Sequence, residues 1–108
     1  MLKIKSEKFK KYLILKVSGE ATNDSSFEFS KKLEELAQEK CYFIGLELSE
    51  LTYIDSYGLG VIIFFWKSVE AHQGKLVIVN PHPFIIDLLN NTKLNRIIPV
   101  LPKKEDLE

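Results

Sequence analysis

The segment "TYIDSYGLGVIIFFW", residues 52–66, distinguishes best between the possible folds of this chain. A polar turn, DSYG, leads directly into large apolar side chains, and VIIFFW alone would favour a strand because β-branched and aromatic residues are common in strands. Two features favour a helix instead. The preceding strand already ends near Leu51, and Asp55 or Ser56 is a good N-cap residue. The span from this cap to Gly74 suits a helix, so we predict a helix that connects two parallel strands.

Around this helix the hydrophobic pattern alternates strands with helices. The first two predicted strands are LKIKSEKF and KYLILKVSG, joined through a SEKFKK hairpin connection, and the later strands are CYFIGLELS, KLVIVN and RIIPVL. The other predicted helices are NDSSFEFSKKLEELAQEK and PHPFIIDLLNN. The final segment, PKKEDLE, is predicted as a short helix or a frayed tail. CYFIGLELS is apolar on both faces, which favours a central strand. The order β-β-α-β-α-β-α-β predicts a single α/β domain over residues 1–108, with a mixed, mostly parallel sheet and an N-terminal hairpin.

The first predicted helix carries a sequence signal for its start. Ser25 and Glu28 have the spacing of a capping box, in which each side chain accepts a hydrogen bond from a backbone N–H at the helix start. Asn23 and Asp24 compete for the same capping role. We therefore expect the helix to begin at one of these polar residues.

The charge balance limits the function classes. Fifteen basic and fifteen acidic residues cancel, whereas nucleic-acid binding needs a basic face for phosphate contacts. The neutral chain does not suggest attraction to an anionic membrane surface either. The longest uncharged apolar stretch, residues 57–66, is shorter than the roughly 20 residues that span a bilayer. We expect a cytoplasmic protein with no direct nucleic-acid contact and no membrane insertion.

A single cysteine, Cys41, excludes an intramolecular disulfide and a cysteine-rich zinc site. We interpret Cys41 as a small hydrophobic residue at a helix-to-strand junction. No pattern of metal ligands accompanies it, so we expect neither a metal nor another cofactor.

The DSYG turn has three chemical interpretations. As a nucleophile, Ser56 needs a base, but His72 lies four to five turns further along the same predicted helix, His82 falls in a surface turn, and the G-x-S-x-G elbow is absent. As a phosphate cradle, DSYGLG offers glycines and a helix N-terminus without the Walker lysine. As a phosphorylation site, Ser56 would place a charge of about −1.5 to −2 at the positive end of the helix dipole. The fold tolerates that charge, whereas an apolar partner docked on the helix does not.

The second face of the predicted helix leaves two alternatives open. Its first turns are apolar nearly all round, so one face packs on the sheet. The other face either meets a neighbouring helix or is exposed, and an exposed apolar patch is typical of a partner-binding surface.

Several motifs together resemble the STAS domain of bacterial anti-sigma factor antagonists. They are L-x-x-L-x-x-I-D-S-x-G-L-G, the turn KVSGE, the strand GKLVIV, the helix PFIIDLL and the final LNRII, and they cover almost the whole chain. The resemblance implies a small sheet with an N-terminal hairpin and helices mainly on one face. It also implies a regulatory binding protein rather than an enzyme.

The resemblance further implies partner switching. The unphosphorylated antagonist binds an anti-sigma factor of the serine/threonine kinase type and so frees the sigma factor, and phosphorylation by that kinase dissolves the complex. The residues that the resemblance assigns to partner binding are Thr22, Asp55, Ser56, Tyr57, Gly58, Leu59 and Gly60. Asp55 is carried over as the cap, and the two glycines as positions of close approach, for which packing inside the domain is the simpler explanation.

Two departures from the family pattern fall on the phosphorylation site. Tyr57 occupies the usual acceptor position, which in the family is a serine or threonine, and this leaves Ser56 as the candidate phosphoacceptor. Thr22 stands where the family commonly has an aspartate. An alternative function is therefore a constitutive adaptor or ligand-sensing STAS domain without a phosphorylation switch, in which Tyr57 is a contact residue.

Overall fold

The computed structural model describes residues 2–108, and this part of the chain follows the predicted alternation of strands and helices with one added strand. The elements are β1 (Leu2–Phe9), β2 (Tyr12–Ala21), α1 (Ser26–Gln38), β3 (Phe43–Glu47), β4 (Leu51–Ile54), α2 (Ser56–Ala71), β5 (Lys75–Val79), α3 (Pro83–Thr92) and β6 (Val100–Leu101), with 3-10 turns at Leu94–Arg96 and Lys104–Asp106.

The sheet has the order β1-β2-β3-β5-β6, and β4 lies beside the end of β2. The β1–β2 hairpin is antiparallel and the other pairings are parallel. Strand β2 is therefore hydrogen-bonded along both edges, by β1 on one side and by β3 and then β4 on the other. This arrangement confirms the predicted mixed, mostly parallel sheet, and it places β3 in the centre as its apolar faces indicated.

Strand β4 was not predicted, because the preceding strand was expected to be the last before the central helix. Its two middle residues are exposed and its ends are buried, a spacing without the two-residue period of a half-buried strand. It pairs with the last three residues of β2, with a register shift between Gly19 and Glu20, and Gly19 has a φ of 101°. Beyond this irregularity Ala21 pairs with Ile54, so the C-terminal ends of β2 and β4 lie side by side.

Two further predictions are corrected at the ends of strands. The SEKFKK connection is too long, because Phe9 pairs with Tyr12 and only Lys10 and Lys11 form the turn. The RIIPVL strand is too long as well. It is shortened to β6 because the preceding segment forms a 3-10 turn that buries Ile98, and because Pro99 has no N–H for the ladder.

The predicted capping box of α1 is wrong. Ser25 is the N-cap residue, but its side chain makes no capping hydrogen bond. Its hydroxyl instead donates to the Glu20 carbonyl (2.6 Å) and accepts from the Thr22 N–H (3.0 Å). The hydroxyl is thus used to fold the loop after β2 rather than to hold the helix start.

The two faces of the sheet are covered differently. The helices bury their apolar side chains on one face, in a core that includes Phe29, Ile62 and Phe65 and against which Trp66 packs. The other face carries a smaller cluster covered by the C-terminal segment, with Leu107 as its buried residue. The helices therefore lie on one face, as expected, and of the two predictions for the C-terminal segment the short helix is confirmed, as a 3-10 turn followed by buried Leu107.

Candidate functional site

Asp55 fixes the turn between β4 and α2 to the end of β2. Its Oδ1 accepts a hydrogen bond from the Gly58 N–H (2.9 Å), which caps α2. Its Oδ2 accepts from the Asn23 N–H (2.8 Å), and its own N–H donates to the Ala21 carbonyl (3.0 Å). The predicted cap at Asp55 is confirmed, and the same carboxylate also joins two loops at one edge of the sheet.

The inward side of the turn is closely packed. Gly58 is buried, and a Cβ at this position would lie 2.7 Å from the Ala21 carbonyl oxygen and 2.9 Å from Ile54 Cγ1. Leu59 is half-buried and packs against the main core. Of the residues predicted for partner binding, these two therefore face the interior of the domain.

The outward side of the turn borders a groove between α1 and α2. Ser56 is exposed, Tyr57 is 51% exposed, and a Cβ at Gly60 would meet nothing within 4 Å. The groove has a volume of about 460 Å³. We call it the interhelical groove, and its lining residues are Ser30, Leu33, Glu34, Ala37, Ser56, Tyr57, Gly60, Val61, Phe64, Phe65 and Ser68.

Thr22 lies outside the interhelical groove. Its carbonyl accepts from the N–H groups of Ser25 and Ser26, and its hydroxyl lies 3.4 Å from Ser25 Oγ. Thr22 comes close to the turn through the next residue, Asn23, whose N–H bonds Asp55. The structure thus brings together the turn and the loop after β2 without directing Thr22 into the groove.

The two alternatives for α2 are resolved by its outer face. Ile62, Phe65 and Val69 are buried, whereas Phe64 is 76% exposed and Val61 is half-buried in the groove wall. Both alternatives therefore hold in part, because α2 packs beside α1 and also leaves apolar surface, chiefly Phe64, open to solvent.

Neither Phe64 nor the contribution of α1 to the groove was predicted from the sequence. Ser30, Glu34 and Ala37 lie on one stripe of α1 and form the second wall of the groove. The available signal was the i, i+4, i+7 spacing of these small or polar residues beside buried Leu33.

The two histidines and the cysteine have structural roles elsewhere in the domain. His72 is the C-cap of α2, roughly 24 Å along the helix from Ser56 at about 1.5 Å per residue. His82 caps α3, where its Nδ1 accepts from the Phe84 N–H. Burial raises the pKa of the Cys41 thiol, and neighbouring Glu39 adds to this, so the reactive thiolate is disfavoured. Neither histidine lines the interhelical groove at Ser56.

Residues 2–108 hold no group of three or more His, Cys, Asp or Glu side chains suited to a metal ion. In the same part of the chain, no helix has the length and apolarity needed to cross a membrane.

Comparison with known proteins gives a consistent set of matches. A family model described as the STAS domain matches residues 3–107. The anti-sigma F factor antagonist of Paenibacillus polymyxa is 31% identical over 100 residues, which are 92% of this chain and 86% of that protein.

Solved structures show the same fold. The crystal structure of a Thermotoga maritima protein assigned as an anti-sigma factor antagonist superposes with a TM-score of 0.89 at 26% identity, over 95% of this chain and 89% of that chain. The phosphorylated form of the Bacillus cell fate determinant SpoIIAA superposes with a TM-score of 0.74 at 18% identity, over 95% of each chain. The second likeness concerns the fold alone.

Proposed function

This chain belongs to the STAS domain family, and we propose that it acts in the cytoplasm as an anti-sigma factor antagonist. In this role it binds an anti-sigma factor and catalyses no reaction itself. The observation that carries the proposal is the division of the DSYGLG turn into two sides. Asp55 and Gly58 hold the turn on the sheet, while Ser56, Tyr57 and Gly60 present an exposed surface.

A rigid, exposed turn is well suited to binding a protein. The turn is held by three hydrogen bonds of Asp55, so little conformational entropy is lost when a partner docks on it. Tyr57 adds a large side chain with few rotatable bonds, and tyrosine is enriched at binding hot spots. These properties support the turn as the centre of the interface.

The partner in this proposal is an anti-sigma factor of the serine/threonine kinase type, and Ser56 is its phosphoacceptor. Ser56 is the first residue of α2, and its side chain is exposed. A phosphate there would lie at the positive end of the helix dipole, so the fold would tolerate it. The same charge would enter the interface with the partner and weaken the complex.

One observation favours a second candidate, a constitutive adaptor with no switch. The position that the family uses as acceptor is occupied by Tyr57, which a serine/threonine kinase does not phosphorylate. In that case the same surface binds its partner permanently and Ser56 only begins the helix.

Ser56→Asp discriminates the two candidates. If Ser56 is the switch, the buried charge should weaken binding by at least about 2 kcal/mol, or about 30-fold in Kd. Asn91→Asp is the matched control, because Asn91 is exposed on α3 and gains the same charge. Isothermal titration calorimetry with purified anti-sigma factors of the source organism measures both variants, and equal affinities would favour the adaptor.

The phosphorylation itself is tested by incubation with the kinase-type anti-sigma factor and Mg-ATP. The switch predicts the mass of one added phosphoryl group, which peptide mapping places at Ser56 and which Ser56→Ala abolishes. Absence of both modification and complex formation would contradict the antagonist function.

A further inference from the structure

The interhelical groove extends from the turn along the length of two helices. Ser56 and Ser68 both line it, and they are twelve residues apart on α2, or roughly 18 Å at about 1.5 Å per residue. Its floor is formed by Leu33 and Phe65, which are buried in the main core. The groove therefore has the length of about three helical turns and a fixed apolar floor.

One wall carries the most exposed large apolar side chain of residues 2–108. Phe64 is 76% exposed, and Val61 lies one turn before it in the same wall. An isolated exposed phenylalanine is common, but one that continues into an apolar groove indicates a binding surface.

Gly60 lies in the same wall, where the domain itself does not require a glycine. A Cβ there would meet nothing within 4 Å, and glycine inside a helix costs about 0.5–1 kcal/mol relative to alanine. The missing side chain leaves the helix backbone open to solvent, and it permits another chain to approach α2 closely.

The opposite wall supplies a single charge. Glu34 is the only ionisable carboxylate or amine that lines the groove, and within residues 2–108 it forms no salt bridge. α1 and α2 both begin at the Asp55–Asn23 contact, and Glu34 and Phe64 each lie eight residues beyond the first residue of their helix. Both residues line the groove, and a basic side chain within it would complement the carboxylate.

We propose that the interhelical groove receives an amphipathic helix of the anti-sigma factor, with apolar side chains against Val61 and Phe64 and a Lys or Arg at Glu34. The inference rests on the proposed function, because Ser56 and Tyr57 belong both to the groove and to the binding turn. Both walls are helices without a free strand edge, so an added strand would leave its backbone groups unpaired. A helix satisfies its own backbone and docks through side chains three and four residues apart.

The test uses the anti-sigma factor whose binding to the wild-type chain is established by calorimetry. Phe64→Ala should weaken this binding about tenfold or more, as expected for a central aromatic anchor. Ile97→Ala is the control, because Ile97 is also an exposed large apolar residue but lies outside the groove. Thermal unfolding of each variant checks that the fold is retained.

A charge reversal tests the proposed basic partner. Glu34→Lys should weaken binding about tenfold, whereas Glu35→Lys, one residue away and outside the groove, should change it less than about twofold. A Lys→Glu or Arg→Glu substitution in the docked helix of the anti-sigma factor should restore the affinity of Glu34→Lys. This rescue requires direct pairing and is not expected from a general loss of stability.

The outcomes separate this inference from the proposed function. If Ser56→Asp or Tyr57→Ala weakens binding while Phe64→Ala and Glu34→Lys bind as tightly as wild type, the groove proposal is overturned and the antagonist function stands. If Phe64→Ala instead dissociates a dimer in light scattering, the groove binds a second copy and the proposal is equally overturned. If the chain binds no anti-sigma factor at all, the proposed function is contradicted, and the groove proposal is overturned with it because its partner is lost.

Discussion

Gly58 and Gly60 lie two residues apart in α2, and the space around their Cα atoms is opposite in character. At Gly58 a Cβ would collide with the end of β2, whereas at Gly60 it would project into open space. The same contrast holds for adjacent Phe65 and Phe64, which are 4% and 76% exposed. The inward residues of this helix fix its position on the sheet, and the outward ones are free to contact another molecule.

The phenylalanine pair gives the largest expected difference. Phe65→Ala should lower the free energy of unfolding by about 3–5 kcal/mol, because it removes a buried aromatic ring and leaves a cavity. Phe64→Ala should change it by less than about 0.5 kcal/mol, as for other surface substitutions. Urea denaturation of both variants measures the two values, and similar losses would mean that α2 is not divided into an inner and an outer side.

Gly58→Ala is expected to have the next largest effect. The added Cβ meets the backbone oxygen of Ala21, which cannot move without disturbing β2, so we expect a loss of about 1–3 kcal/mol. The measurement is again the midpoint and slope of urea denaturation. A stability equal to that of wild type would show that the close approach at Gly58 is not required.

Asp55→Ala should cost about 2 kcal/mol, because α2 loses its cap and the loop after β2 loses its acceptor. Asp55→Asn is the informative comparison, since its amide has one acceptor oxygen and can keep only one of the two bonds. Its loss should be intermediate. Asp24→Ala, at an exposed residue of the neighbouring loop, serves as the control.

Gly60→Ala should change stability less than Gly58→Ala or Asp55→Ala, and in the opposite direction. Alanine is the better helix former and meets no steric obstacle, so we expect a gain of about 0.5–1 kcal/mol. The affinity for the anti-sigma factor should fall at the same time, because the new methyl group occupies the surface that a partner approaches. A variant that is more stable and binds equally well would show that Gly60 is not part of the interface.

The residues that sequence analysis placed correctly are those whose role depends on near neighbours. Asp55 was identified as a cap because its partner, the Gly58 N–H, lies three residues away. The central position of β3 was visible from its own apolar faces. The second bond of Asp55, to Asn23, joins residues that are 32 positions apart and has no local signal.

The parts that were missed depend on how elements are arranged in space. Strand β4 is defined by its pairing with the distant end of β2, and four residues with exposed middle positions give no local signal for such a pairing. The sequence of α2 is apolar nearly all round, so its pattern cannot show that Phe64 faces outward. The packing of α2 on the sheet and beside α1 decides that, and the packing of the two helices places Glu34 in the groove.

The double pairing of β2 has a consequence for how a binding event is transmitted. Amide protons in a strand that is hydrogen-bonded on both edges exchange with solvent only when the domain opens widely, so β2, together with central β3, should contain the slowest-exchanging amides of residues 2–108. The binding turn is attached to this strand at Ala21. We therefore expect a docked partner to slow exchange on the outer side of α2 and to leave β2 unchanged. Under the proposed function, the domain would then signal by whether its surface is occupied, without a change of its own shape.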